Sequence, residues 1–103
     1  MKEIRETETF KTWFAGLRDS RAQYRILTRI KRLSEGNPGD VKPVREGISE
    51  MRIDYGPGYR VYFKDTGREI IILLCGGDKR TQSRDIELAI ELLQNLEVYH
   101  GTS

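Results

Sequence analysis

The sequence predicts an α+β domain of order β-α-α-β-β-β-α, an antiparallel sheet backed by a helical hairpin and closed by a C-terminal helix. Three observations carry this. Apolar residues recur at helical spacing from Phe10 to Leu33, the period drops to two from Ser49 to Phe63, and helical spacing returns after Ser83. The length of 103 residues suits one domain over 1–103, with an ordered core of about 2–97.

Lys2–Glu6 reads as a short strand around Ile4. Thr7 or Thr9 then offers a hydroxyl to the free N–H groups of a first helical turn. Phe10, Trp13, Phe14 and Leu17 stand at i, i+3, i+4 and i+7, which is one face of a helix. Asp19 or Ser20 caps a second helix whose inner stripe is Gln23, Ile26, Leu27, Ile30 and Leu33; Gly36 and the following Asn37-Pro38-Gly39-Asp40 stop it. Ser49, Met51, Ile53 and Tyr55 alternate with Glu50, Arg52 and Asp54, as in a half-buried strand. Gly56-Pro57-Gly58 turns the chain into a second alternating strand, Tyr59 to Lys64. Asp65-Thr66-Gly67-Arg68 is a hairpin signal, with Gly67 free to take positive φ. Ile70–Leu74 lacks alternation, the mark of a central strand covered on both faces, and Gly76-Gly77 is expected to end it. A last helix is expected from about Ser83 to Glu97, with Ile86, Ala89, Ile90 and Leu93 on one face.

Composition excludes several classes. The longest apolar run, Ile70–Cys75, has six residues, against the ~20 of a membrane helix. The first residues contain no apolar stretch for a secretory signal. The lone cysteine, Cys75, suits a small core residue in a reducing, cytoplasmic setting, and disulfide scaffolds and thiolate metal clusters are out. No metal and no cofactor are expected. His100, the single histidine, is expected in a tail beyond the last helix, a poor place for a general base. Net charge is +2, unevenly spread: residues 1–40 carry nine basic and six acidic side chains, 41–82 eight and six, and 83–103 one and four. A basic body with an acidic C-terminal helix suits a polyanion on the body and not on the tail.

Apolar parity fixes which strand residues share a surface. If Met51, Ile53, Val61 and Phe63 face the helices, then Arg52, Asp54, Arg60, Tyr62 and Lys64 face away, with Lys79 and Arg80 arriving beside them on a Gly-rich loop. Guanidinium forks hold phosphate oxygens, a cation by a scissile phosphodiester stabilises the developing charge, and an aromatic beside an arginine stacks an unpaired base. The competing reading is an ordinary solvated sheet face. Arg21, Arg25, Arg29 and Arg32 line one side of the second helix; contacts to an RNA backbone and a solvated helix face both fit them. Gly76-Gly77-Asp78-Lys79 lacks the spacing of a phosphate-cradling nucleotide loop. Asp78 reads as a cap or as a partner for Lys79. Asp85, Glu87 and Glu91 read as a solvated face or a charge patch for a partner.

Three segments carry a family resemblance: Glu50-Met51-Arg52-Ile53, Gly56-Pro57-Gly58-Tyr59-Arg60-Val61-Tyr62-Phe63, and Leu73-Leu74-Cys75-Gly76-Gly77-Asp78-Lys79-Arg80-Thr81-Gln82 followed by Asp85-Ile86 and Ala89. With the helical hairpin they resemble the RelE/ParE superfamily of toxins from toxin–antitoxin pairs, in the branch of addiction-module killer proteins and phage Gp49-like HigB toxins. The resemblance implies a translation-inhibiting mRNA interferase, a metal-independent endoribonuclease that works on the ribosome. It also implies silencing by a cognate helix-turn-helix antitoxin in a hetero-oligomer. Arg60 matches the family's phosphate-contacting arginine, Arg52 a basic position on the preceding strand, and Lys79 and Arg80 the basic pair after the last strand. Asp54 departs from a second lysine, and Ile86 stands near where some members carry a catalytic tyrosine; Tyr62 is the candidate replacement. On this reading Arg60, Lys79, Arg80 and Tyr62 are catalytic, while Arg52, Lys64, Arg21, Arg25, Arg29 and Arg32 bind RNA. A ParE-like gyrase inhibitor and a catalytically silent antitoxin-binding module are the alternatives.

Overall fold

The computed structural model describes the backbone of residues 1–101 and the side chains of residues 1–96. Its elements are β1 (Glu3–Glu6), α1 (Glu8–Ala15), α2 (Ser20–Ser34), β2 (Val41–Pro43), β3 (Ser49–Ile53), β4 (Tyr59–Asp65), β5 (Ile70–Asp78), a 3-10 turn (Lys79–Thr81) and α3 (Gln82–Gly101). The caps resolve to Thr7, whose Oγ1 accepts from the Phe10 N–H at 3.0 Å, and Asp19, whose Oδ1 accepts from the Arg21 and Ala22 N–H groups. Gly67 takes φ 78° in the predicted hairpin.

One five-stranded sheet has the order β1-β5-β4-β3-β2. The pairs from β2 to β5 are antiparallel, but β1 runs parallel to β5, with Ile4 opposite Ile71. The expected all-antiparallel sheet is therefore mixed. Without β1, the nine-residue β5 would present an open edge of unpaired backbone groups. The unexpected β2 is three residues long and too short to show a period; its Pro43 sits on an edge, where a missing N–H is tolerated.

Helices cover both faces. On one, Phe10, Ile26, Ile30 and Leu33 of the hairpin pack on Met51, Ile53, Val61, Phe63, Ile71 and Leu73. On the other, Ala89, Ile90 and Leu93 of α3 pack on Ile48, Tyr62, Leu74 and Cys75. A β-bulge explains the unbroken apolar run in β5. Tyr62 pairs with Cys75 and Phe63 with Leu73, so Leu74 is an extra residue. Leu73 thereby faces the hairpin while Leu74 and Cys75 both serve α3.

Several expectations need correction here. The sheet face expected to be open lies largely under α3. Leu27, assigned to the inner stripe of α2, is 52% exposed. The backbone of α3 continues through Gly101, so the segment holding His100 is helical; its side chain, like those of Glu97 and Tyr99, lies outside the described residues. Gly76-Gly77 does not end β5 but thins it. A Cβ on Gly76 would collide with the Trp13 ring, and one on Gly77 would collide with the Asp85 carboxylate. One glycine lets α1 close on the sheet, and the other lets α3 close from the opposite side.

Candidate functional site at the end of the sheet

The strand register brings the predicted cations to one end of the sheet. Arg52 of β3 stands opposite Arg60 of β4, and Arg60 stands opposite Gly77 of β5, two residues before Lys79. Lys79 and Arg80 are exposed on the 3-10 turn. The β3–β4 turn lies against them, since a Cβ on Gly58 would touch Lys79 Cβ at 3.4 Å. Asp78 caps the turn: its Oδ1 accepts from the Arg80 N–H at 2.8 Å. Burial raises the Asp78 pKa, but the Arg80 N–H and guanidinium outweigh it and hold the carboxyl below its ordinary value. Asp78 is thus a cap paired with Arg80 at 3.4 Å, and not the partner of Lys79.

Arg60 is not on an open surface. Its side chain is 12% exposed, beneath the start of α3, and its Nη1 lies 3.9 Å from Glu50 Oε1. Glu50 is fully buried opposite Tyr62. Its Oε2 accepts from Tyr62 Oη at 3.1 Å and from Gln82 Nε2 at 2.6 Å. Among the described residues, Glu50 Oε1 and Arg60 Nε have no hydrogen-bond partner. Asp85, also buried, accepts from the Thr81 hydroxyl.

Tyr62 and Lys64 do not join the group. Tyr62 has no exposed surface and cannot stack on a base; α3 covers its ring. Burial first, then the Glu50 charge and hydrogen bond, push its phenol far above the ordinary range, so it stays protonated and acts as a donor. Lys64 pairs with Ile72 farther along the sheet. Its Nζ lies 2.5 Å from where a Gly47 Cβ would be, tucked against the β2–β3 loop. Arg52 is half-exposed and bonds Asp40 at 2.8 Å.

The helical stripe divides as well. Arg29 is structural: its Nη1 donates to the Arg52 carbonyl at 2.7 Å and its Nη2 to the Pro38 carbonyl at 3.1 Å, tying α2 to the sheet. Arg25 lies 4.8 Å above the Tyr55 ring. Tyr55 Oη donates to Asp19 Oδ2 at 2.9 Å; that bond lowers the Asp19 pKa and raises that of Tyr55. Arg21, Arg25 and Arg32 remain exposed and line a groove with Tyr24, Ile53 and Asp54. Tyr24 is 72% exposed there.

On α3, Glu87 pairs with Arg45 at 2.7 Å, whereas Glu91 is exposed. Cys75 is a core thiol donating to the Asp85 carbonyl at 3.4 Å, and burial pushes its pKa up to about 12. Sequence reasoning missed Glu50, Gln82 and Asp85 as members of the site. For Glu50 a signal exists: strand parity places it on the face of Arg60 and Tyr62.

The fold is similar to that of a chain in the RelBE2 toxin–antitoxin complex of Mycobacterium tuberculosis: TM-score 0.59, 19% identity, covering 76% of this chain and 98% of that one. An uncharacterized protein of Haemophilus influenzae is 52% identical over 94 residues, 91% of this chain and 95% of the relative. Residues 12–94, which include every residue of the sheet-end cluster, match the family described as phage derived protein Gp49-like (DUF891), and the chain belongs to that family.

Proposed function

We propose that the protein is the toxin of a toxin–antitoxin pair and cuts mRNA on the ribosome. One observation carries the reading: Lys79 is exposed at the sheet end where Arg52, Arg60 and Arg80 gather, and it has no carboxylate partner among the described residues, whereas each of those arginines has one. Attack of a ribose 2′-hydroxyl on the adjacent phosphate forms the 2′-O–P bond as the bond to the next nucleotide's 5′-oxygen breaks. It leaves a 2′,3′-cyclic phosphate and a 5′-hydroxyl, the proton lost by the one oxygen being balanced by that gained by the other. Negative charge builds on the phosphate oxygens on the way, and Lys79 is the cation placed to meet it. Arg80 and Arg52 are half-committed to their carboxylates and position phosphates; Arg60, 12% exposed, adds its guanidinium from the floor of the site. The ribosome supplies the alignment of the hydroxyl that this site does not build for itself. Its setting is then the cytoplasm, and a cognate helix-turn-helix antitoxin is the expected partner, as the RelE-like fold suggests. The described residues include no helix long and apolar enough to cross a membrane.

The experiment is incubation with programmed ribosomes followed by mapping of mRNA ends. Cleavage at one place in the decoding site is expected, with Lys79→Ala losing roughly 100-fold, more than Arg80→Ala or Arg52→Ala. Intact message at doses that arrest growth overturns the reading. The α2 groove favours a second reading, a ParE-like gyrase inhibitor acting through Arg21, Arg25, Arg32 and Tyr24. A supercoiling assay decides between the two.

A further inference from the structure

The buried polar group under the start of α3 has a division of labour. Glu50 Oε2 is fully engaged by two neutral donors, Tyr62 Oη and Gln82 Nε2, while Oε1 is left facing Arg60 at 3.9 Å. The carboxylate therefore does not depend on Arg60 for its hydrogen bonds. Arg60, in turn, is drawn by a buried charge without being clamped by it. A bidentate fork onto Glu50 would consume the guanidinium's best donors. Instead the Arg60 Nη groups make no hydrogen bond among the described residues and are kept for another acceptor, while Nε is buried. Donors left without acceptors are costly, and an anion meeting the Nη groups at the partly exposed end of the guanidinium would relieve that cost.

Gln82 also connects this interior to the surface. It opens α3 directly after Lys79, Arg80 and Thr81, so a displacement of the exposed turn moves the donor that holds Glu50. Arg60 stands opposite Gly77, and the space a side chain would take there is filled by Asp85 and Thr81 from the turn and the start of α3, so the same turn packs beside the guanidinium.

We propose that Glu50, held by Gln82 and Tyr62, is a positioning residue that aims the Arg60 guanidinium at an anionic phosphate oxygen. This rests on the RNA-cleaving reading above and deepens it. Gln82→Ala is the first variant: Gln82 is only half-buried and alanine suits a helix start, so the fold survives. Three quantities are read: ribosome affinity, the single-turnover cleavage rate with every ribosome occupied, and the ¹H–¹⁵N signal of Arg60 Nε in the free protein. The expected result is unchanged affinity, a rate lowered roughly 10- to 100-fold, and a shifted Arg60 signal. Glu50→Gln is expected to behave alike, and the double variant to lose no more than either single one, because both act through one guanidinium.

A purely structural role would lower stability while leaving the rate at saturation unchanged, and that result overturns the proposal. So does a rate loss that adds in the double variant. If the wild-type protein leaves ribosome-bound mRNA intact, the cleavage reading fails on its own. The Arg60 signal then decides whether Glu50 and Gln82 hold the guanidinium at all: unmoved by Gln82→Ala, the positioning is refuted as well; moved, only its aim at RNA falls. Should Glu50→Gln fail to fold, Gln82→Ala decides the matter alone.

Discussion

Gly77→Ala tests the closure of α3 on the sheet. The new methyl carbon would sit 2.7 Å from Asp85 Cγ and 2.9 Å from Thr81 Oγ1, against about 3.5–4.0 Å for ordinary carbon contacts. The nearer Asp85 oxygen overlaps the methyl outright, so the whole carboxylate must swing out of its place. It is 3% exposed and bonded to Thr81, so no empty space receives it. Overpacking of this kind costs about 1–3 kcal/mol. Loss of a hydrogen bond to a buried carboxylate adds about 1.5–3 kcal/mol. The expected loss is about 2.5–6 kcal/mol, a large part of the roughly 5–15 kcal/mol that holds a typical domain together.

Urea unfolding followed by the fluorescence of Trp13, the single tryptophan, measures it. The decisive quantity is a cycle with Asp85→Ala. Removing the carboxylate removes what the methyl collides with, so the double variant should be more stable than the sum of the single losses by at least about 1 kcal/mol. Gly76→Ala, whose methyl meets Trp13 on the opposite face, should show no such rescue by Asp85→Ala. Additive losses for Gly77→Ala and Asp85→Ala would refute the claim that Gly77 exists to admit Asp85.

Tyr62→Phe keeps the ring under α3 but strips one donor from Glu50; a loss of about 1.5–3 kcal/mol in urea is expected, and a loss below about 0.5 kcal/mol would contradict the hydrogen bond. The hydrogen bond from Lys2 Nζ, against an upward push from burial, lowers the Asp65 pKa. Its stabilising effect is complete above the unfolded value of about 3.9 and is lost as pH falls through the lowered folded value. Lys2→Ala should therefore lower the urea midpoint near neutral pH and match the wild type once Asp65 is protonated in acid. Cys75, buried with a pKa of about 12, should resist thiol reagents at neutral pH in the folded protein and react once urea unfolds it.

The helical faces and the strand parity were legible because both are local periods. Phe10, Ile26, Ile30 and Leu33 point inward as their spacing requires, and Met51, Ile53, Val61 and Phe63 share a face. Leu27 fails because it stands about 100° round the helix from Ile26, at the margin of the stripe. The cover on the second face was not legible. Parity says that Glu50, Arg60 and Tyr62 lie together, but where α3 crosses the sheet is a tertiary matter. The same limit applies to the arginines of α2. Arg25 and Arg29 are one turn apart and alike in sequence, yet carbonyls from the 38–40 loop and β3 capture only Arg29.

Counting cations therefore overstates the electrostatics of the sheet end. Arg52 faces Asp40, Arg60 faces Glu50 and Arg80 faces Asp78, while Asp85 lies buried at the start of α3. Arg84 stands 3.6 Å from Asp85, so five cations meet four carboxylates and the cluster as a whole keeps only a small positive charge, which attracts a polyanion weakly at long range. Its capacity to bind phosphate lies in geometry. The Asp40 and Asp78 pairs are partly solvated and can be exchanged for phosphate contacts at small cost, whereas the Glu50 carboxylate is locked by Tyr62 and Gln82. Within this cluster Lys79 is the cation without a carboxylate partner among the described residues. Long-range attraction then falls to the exposed arginines of α2, and discrimination at the phosphate to Lys79 and Arg60. Binding and cleavage should respond differently to salt for that reason: binding through counterions released along α2, cleavage little once the message is seated.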